Sequence, residues 1–253
     1  MYKRLDSLQG QVAVITGGAG GMGYATAQRL AERGARVIGI IRSKEIEAIK
    51  LYEALPNPFL KHFVINCSID NTASIKLAVE RVQQEALRCD ILVNTAGITK
   101  RIPLEKLEEM DDDTFDEIMR VNVRGTYAVI REFAPLLKRS NQGLIVNISS
   151  AAGIKIGGSN LAYAASKAAI DSLTRNLSKV LAPNVRVVSI APSAVNTKFL
   201  ADRPQAFFDN TIKSTPLNRV GEVDDVACAI EALATTMRFV TGNTFSIDGG
   251  RTI

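Results

Sequence analysis

The chain has 253 residues, 46% of them hydrophobic and 23% charged, with a net charge of +5. These are ordinary globular values, and they exclude a disordered chain, a collagen-like repeat and a disulfide scaffold. No stretch approaches ~18 consecutive apolar residues and the N-terminus has no apolar signal-peptide core, so no membrane partner and a cytoplasmic location are expected.

Apolar β-rich runs alternate with helical periodicity from end to end. The strand candidates are residues 12–15, 36–41, 62–67, 91–94, 144–148, 186–190 and 244–247. Several are apolar almost throughout, as strands buried on both faces must be. Helical patterns at 22–33, 44–55, 72–87, 114–138, 160–181, 199–212 and 223–236 fill the gaps. Gly34 stands where the first helix needs a left-handed terminator, and Ser43 and Asn71 stand at capping positions for the next two. The order predicts an α/β fold, a single doubly wound Rossmann domain over 1–253 with a seven-stranded parallel sheet flanked by helices. The longest irregular stretch, 191–221, is the natural place for a substrate lid, around 193–212.

Composition narrows the chemistry. His62 is the only histidine, so a Ser-His-Asp or Cys-His hydrolase and a histidine-rich zinc site are excluded, and no metal is expected. Cys67, Cys89 and Cys228 are widely spaced and read as buried, reduced thiols. Basic residues are scattered rather than striped and Trp is absent, so no nucleic acid partner is expected. Acid–base work falls to Tyr, Lys, Asp or Glu.

The first strand runs into Thr16-Gly17-Gly18-Ala19-Gly20-Gly21-Met22-Gly23 and then a helix. Glycines there permit a tight turn and close approach of backbone to a phosphate, and the helix N-terminus offers free N–H groups. In this strand–turn–helix setting the loop reads as a dinucleotide cradle. Tyr163 and Lys167 are four apart on one helical face, where an ammonium pulls the phenol pKa down toward a working range. Ser150 ends an apolar strand, at the edge where ligands bind in such sheets, with Ser149 as its rival. Asn122 is a polar residue inside an apolar helical stretch, readable also as a satisfied core amide.

These pieces, in this order, resemble the short-chain dehydrogenase/reductase family over the whole chain. The loop has the family spacing T-G-x-x-x-G-x-G, followed by Asn94-Thr95-Ala96-Gly97, Asn122, Ser150, Tyr163-x-x-x-Lys167 thirteen residues on, Pro192-Ser193, and Val240-Thr241-Gly242 before Asp248-Gly249-Gly250. The resemblance implies an oxidoreductase that interconverts a ketone and a secondary alcohol with a nicotinamide dinucleotide. It implies that Tyr163 is the proton donor, that Ser150 (by its spacing to Tyr163) polarises the carbonyl, and that Lys167 tunes Tyr163 and holds the ribose. Asn122 would keep a water in line with the lysine. The implied cofactor contacts are Gly17, Gly21, Met22, Gly23, Arg42, Ser43, Ser68, Ile69, Asn94, Ala96, Gly97, Tyr163, Lys167, Pro192, Val195 and Thr197.

Ile41 stands where an NAD-selective acid would be, and Arg42 follows at once, so NADP(H) is expected ahead of NAD(H). Thr95 replaces the second Asn of the family motif. Ser193 replaces a Gly, at a cost if that position needs positive φ. Ile154, Ile156, Asn160, the residues after Gly97 and the lid would line a pocket for a fairly apolar small-molecule carbonyl or alcohol. The family implies a homo-oligomer, a tetramer first and a dimer second, paired through the long helices at 114–138 and 160–181 and the C-terminal segment. One alternative is a 3-oxoacyl-carrier-protein reductase, although Asn141 and Asn184 stand where those enzymes carry basic docking residues. The other is a non-catalytic NADP-binding regulator on the same fold.

Overall fold

The computed structural model of the protein describes residues 7–43, 45–140, 142–155 and 157–253. Expectations resting on Asn141, on Ile156 and on a helix start at residue 44 lie outside them. Seven parallel strands form one sheet in the order β3-β2-β1-β4-β5-β6-β7. They are β1 (Val12–Thr16), β2 (Arg36–Ile41), β3 (Phe63–Asn66), β4 (Ile91–Asn94), β5 (Gly143–Ile148), β6 (Val185–Pro192) and β7 (Thr244–Ile247). All seven runs expected from the sequence are strands, each shifted at its ends by no more than two residues.

Side chains alternate across the sheet, as the pleat demands. Ala13 and Ile15 face one core, with Leu30 of α1 (Gly21–Glu32) and Ile230 of α8 (Val223–Thr235). Val12 and Val14 face the other, with Ile75 of α3 (Thr72–Ala86) and Phe133 of α5 (Thr126–Lys138). Tyr52 of α2 (Glu45–Glu53) joins the first core, and Leu177 of α6 (Leu161–Leu181) packs against the second.

Local signals explain the helix ends. Gly34, at φ +92°, donates to Ala31 at 2.9 Å while Ala35 donates to Leu30 at 3.0 Å, so the last carbonyls of α1 are satisfied. The Asn71 side chain accepts the Ser74 N–H at 3.1 Å and caps α3.

Three expectations need correction. The helix expected over 114–138 is broken: α4 (Asp112–Met119) passes into a π-helical turn at Arg120–Gly125 before α5 begins. Apolar periodicity runs straight through such a turn and does not reveal it. The helix expected at 199–212 is α7 (Gln205–Lys213), because Pro204 disfavours helical geometry in the residue before it. The stretch 191–221 is therefore less irregular than expected. Finally, Cys228 is exposed whereas Cys67 and Cys89 are buried. On α8 the buried face carries Val226, Ala227 and Ile230, and Cys228 falls on the opposite face.

His62 is structural. Its Nδ1 accepts the Val37 N–H at 2.9 Å, its Nε2 faces the Pro56 carbonyl at 2.9 Å, and burial holds its pKa below the ordinary value.

Candidate active site

A parallel sheet puts all its C-terminal ends on one edge, and β1 and β4 flank the point where chain order reverses. Thr16, Asn94 and Asn147 stand in register across that edge. Asn94 donates to the Asn147 side chain at 2.9 Å, and Asn147 donates to Thr174 of α6 at 3.0 Å. The loops leaving this row therefore start from fixed positions. Thr95, the replacement in the family motif, donates its hydroxyl to the Thr16 carbonyl at 2.6 Å and ties the β4 loop to the glycine loop.

In the glycine loop, Gly17 has φ +68°, and a Cβ on Gly23 would lie 2.3 Å from the Gly17 carbonyl oxygen. Only hydrogen fits there. The loop delivers the chain to α1, whose N-cap is Gly20, with no side-chain cap and no acid in the first turn. By contrast α3, α4 and α6 are capped by Asn71, Asp111 and Asn160. A bare helix N-terminus behind a glycine cradle suits a pyrophosphate. Thr197 packs beside this turn, its methyl 3.1 Å from where a Gly21 Cβ would stand. Val195 is buried and pairs with Gly221. Gly17, Gly21, Met22, Gly23, Asn94, Ala96, Gly97, Pro192, Val195 and Thr197 thus stand at or just beyond the C-terminal ends of β1, β4 and β6, on one edge of the sheet. Ser193 does not carry the expected strain. Its φ is not positive, and its hydroxyl donates to the Asp248 carbonyl at 3.4 Å.

The catalytic candidates gather next to Gly97. A Cβ there would stand 3.2 Å from Asn122 Oδ1 and 3.7 Å from Lys167 Nζ. Asn122 lies in the π-helical turn, a feature frequent at functional sites. Its amide is fully used: Oδ1 accepts the Ile98 N–H at 2.8 Å, and Nδ2 donates to the Ile98 carbonyl at 3.0 Å and to Ser166 at 3.1 Å. The side chain thus clamps the β4 loop onto α6. Ser149 is buried and donates to the Lys167 carbonyl at 3.1 Å, whereas the half-buried Ser150 faces Tyr163. Of the two serines, Ser150 is the one turned to the phenol.

The electrostatics differ from the sequence expectation in one respect. Burial raises the Tyr163 phenol above its ordinary value, and the Ser150 hydroxyl pulls the other way. The Lys167 Nζ donates to the Ile148 carbonyl at 2.8 Å and stands 5.5 Å from the centre of the Tyr163 ring. Lys167 is itself lowered to about 8 by burial, with Asp171 opposing.

Arg42 and Ser43 are exposed beyond β2, and Ser68 and Ile69 follow β3. Ser68 donates to Asp70 at 2.5 Å. Asn160 is not a pocket residue: it is fully buried, accepts the Tyr163 N–H at 2.6 Å and donates to the Lys100 carbonyl at 2.5 Å.

Sequence reasoning missed three neighbours of the site. Asp171 is a buried carboxylate one turn beyond Lys167, legible in principle from its spacing. Phe199 brings its ring centre to 6.3 Å from that of Tyr163. Asp70 pairs with Arg120 and accepts at its carbonyl from Arg124 at 3.0 Å, which joins the loop after β3 to the turn that carries Asn122. Fifty residues separate Asp70 from Arg120, and no local signal links them.

This fold and site define a dinucleotide-binding oxidoreductase, and comparison with known proteins agrees. The family model described as enoyl-(acyl carrier protein) reductase matches residues 17–252. A 3-oxoacyl-[acyl-carrier-protein] reductase of Thermotoga maritima is 36% identical over 250 residues, 97% of this chain and 99% of that one. The crystal structure of a gluconate 5-dehydrogenase from Burkholderia cenocepacia J2315, in complex with NADP and tartrate, superposes with a TM-score of 0.91 at 30% identity, covering 98% of each chain. A 3-ketoacyl-(acyl-carrier-protein) reductase from Brucella melitensis complexed with NADH gives 0.88 at 31% identity, covering 98% of this chain and 100% of that one. The chain belongs to the short-chain dehydrogenase/reductase family of oxidoreductases, which act on C–OH and C=O groups with a nicotinamide dinucleotide.

Proposed function

We propose that the protein is an NADP(H)-dependent reductase and dehydrogenase that interconverts a ketone and a secondary alcohol, with Tyr163 giving or taking the proton. The observation that carries this reading is the meeting of Ser150 and Lys167 with Tyr163 at the sheet edge that also holds the uncapped α1 N-terminus. A bound nicotinamide dinucleotide would exchange a hydride with the substrate carbon. The chain's own residues do the rest. Ser150 donates a hydrogen bond to the substrate oxygen and holds it against Tyr163. Tyr163, its pKa above the ordinary phenol value, is protonated at neutral pH and is a donor in place for reduction. Lys167, a cation below about pH 8, favours the phenolate left behind and holds the ribose. Asn122 fixes the β4 loop beside them.

Arg42, followed by Ser43, would meet a 2′-phosphate, and Ile41 offers no carboxylate to repel it. Relatives bound to NADP and to NADH are both known, and this pair supports NADP(H). Ser68 and Ile69 would border the adenine. The pyrophosphate would lie on Gly17 and Gly21–Gly23, and Pro192, Val195 and Thr197 would border the nicotinamide. The second reading, a 3-oxoacyl-carrier-protein reductase, is favoured by the 36% identity to the Thermotoga maritima enzyme.

The chain acts as one unit over 1–253. A homotetramer, or else a dimer, is supported by a groove of about 640 Å³ on the outer face of α4, the π-helical turn, α5 and α6, lined by Met119, Val123, Tyr127 and Leu173. Phe239 and Ile253 are also fully exposed on the isolated chain. No helix among the described residues is long and apolar enough to cross a membrane, and free thiols at Cys67 and Cys89 suit the reducing cytoplasm. The deciding assay is NADPH consumption over a panel of ketones. Turnover supports the enzyme, and NADPH binding with no turnover of any ketone would point to the non-catalytic regulator.

A further inference from the structure

The glycine loop rests on a tyrosine. Tyr52, near the C-terminal end of α2, is fully buried, and its hydroxyl donates to the Gly18 carbonyl at 3.2 Å. The phenol fits there because two neighbours lack a side chain. A Cβ on Gly18 would lie 2.3 Å from the Tyr52 hydroxyl oxygen, and one on Gly39 of β2 would lie 2.5 Å from it. The carbonyl of Leu51, the residue before, accepts the Tyr24 hydroxyl of α1 at 3.3 Å. One end of α2 thus holds both the loop and the first turn of the helix that follows it.

Most N–H groups of this loop are already spent. Gly17 and Gly18 donate to the Ile40 carbonyl at 2.9 and 3.2 Å, and Gly20 donates to the Gly17 carbonyl at 2.9 Å. Of residues 17–20, Ala19 is the one whose N–H meets no acceptor among the described residues. The Tyr52 hydroxyl is a donor at every working pH, because burial raises the phenol above its ordinary value. Turning the Gly18 carbonyl away would leave that buried hydroxyl unpaired, which is costly. In a trans peptide the N–H points opposite to the carbonyl before it, and the Gly18–Ala19 bond is trans. With the Gly18 carbonyl held down on Tyr52, the Ala19 N–H points away from the core.

We propose that Tyr52 is a positioning residue for the cofactor: it fixes the Gly18–Ala19 peptide so that the Ala19 N–H donates to a phosphate oxygen of the bound nicotinamide dinucleotide. Tyr52 lies beneath the loop and acts through that peptide. The pyrophosphate and a 2′-phosphate offer the same acceptor chemistry, and the loop borders the place of each. The uncapped α1 N-terminus follows it, and Ile40, which takes two of its N–H groups, lies two residues before Arg42. This inference deepens the proposed cofactor site and rests on the cradle reading of the glycine loop; ketone turnover has no part in it.

The test is Tyr52→Phe, which keeps the ring in its slot and removes the hydroxyl. NADPH and NADH are titrated against wild type and variant by the fluorescence of the reduced nicotinamide. A hydrogen bond kept in aim is worth a factor of several, so the variant should bind NADPH about three- to tenfold more weakly. Loss confined to NADPH assigns the contact to the 2′-phosphate, and equal loss for NADH assigns it to the pyrophosphate. A second measurement follows the Ala19 amide by NMR in protein with isotope-labelled alanine nitrogen. Saturating NADPH should move its proton resonance downfield in the wild type and less so in the variant. Unchanged affinity for both cofactors, even with a lowered melting temperature, overturns the proposal, as does an Ala19 resonance that NADPH leaves in place. Should the wild type prefer NADH, the NADP(H) reading fails, while a weaker NADH complex in the variant still supports the role of Tyr52. Ketone reduction by a variant of unchanged cofactor affinity keeps the function and loses that role.

Discussion

Lys167 donates its Nζ hydrogen to the Ile148 carbonyl at 2.8 Å, at the end of β5. The residue is only 6% exposed, and its amine is lowered to about 8 from 10.5. Between those two values the unfolded chain binds more protons than the native one, so native stability rises with pH through that window. The cost of burying the cation is present in full below about pH 8 and is relieved above it. Relative to Lys167→Met, the wild type should gain up to about 3 kcal/mol between pH 8 and 10.5. Urea unfolding of both proteins across that range measures the difference; a difference that stays flat with pH would contradict the buried cation.

Asp171 is the group that opposes this fall. It is buried and accepts from Thr244 at 2.9 Å, a bond that Asn can also accept. Asp171→Asn should therefore keep the fold and move Lys167 further below 8. The alkaline limb of the ketone-reduction profile should shift to lower pH while the acidic side is unchanged. An unshifted limb would mean that Lys167 does not set it.

Arg42 is the candidate for charge recognition of a 2′-phosphate in the proposed site. A charge-assisted contact contributes ~1.5–3 kcal/mol, so NADPH should exceed NADH in kcat/KM by at least about tenfold. Arg42→Asp should reverse the order. Steady-state kinetics with both cofactors decides it, and equal use by the wild type defeats the argument.

At the opposite edge of the sheet, Asp90 is a structural carboxylate. It accepts the Val12 N–H at 2.8 Å, pairs with Arg88 at 2.6 Å and takes the Ser140 hydroxyl. Asp90→Ala leaves a buried N–H without a partner and should cost about 2–4 kcal/mol. Activity per folded molecule should not change. Denaturant unfolding beside active-site titration separates the two effects.

Much of this architecture is local and therefore readable. Apolar runs bounded by turn residues place every strand, and Gly34 and Asn71 mark helix ends by chemistry that acts within four residues. Ser150 follows a strand end, and Tyr163 and Lys167 share a helix face, so their nearness was readable. What was illegible is long-range. The π-helical turn at Asn122 preserves the apolar rhythm that would betray a break. The Asp70–Arg120 pair joins segments with no shared pattern. Asn160 reads as a pocket residue by its distance from Tyr163, yet its side chain turns inward to cap the helix. The Tyr163 pKa was misread for a related reason. Spacing puts an ammonium near the phenol, but only the fold shows which acceptor that ammonium chooses.

The central claim is proton transfer by Tyr163, and Tyr163→Phe tests it most directly because it removes one hydroxyl and leaves the ring beside Phe199. Ser150→Ala and Lys167→Ala should each lower the rate, and only the latter should also weaken NADPH binding. For Tyr163→Phe the account predicts unchanged NADPH affinity and a fall in kcat of at least ~10²–10⁴-fold on the best ketone found. Wild-type turnover in Tyr163→Phe, with cofactor bound, would contradict it.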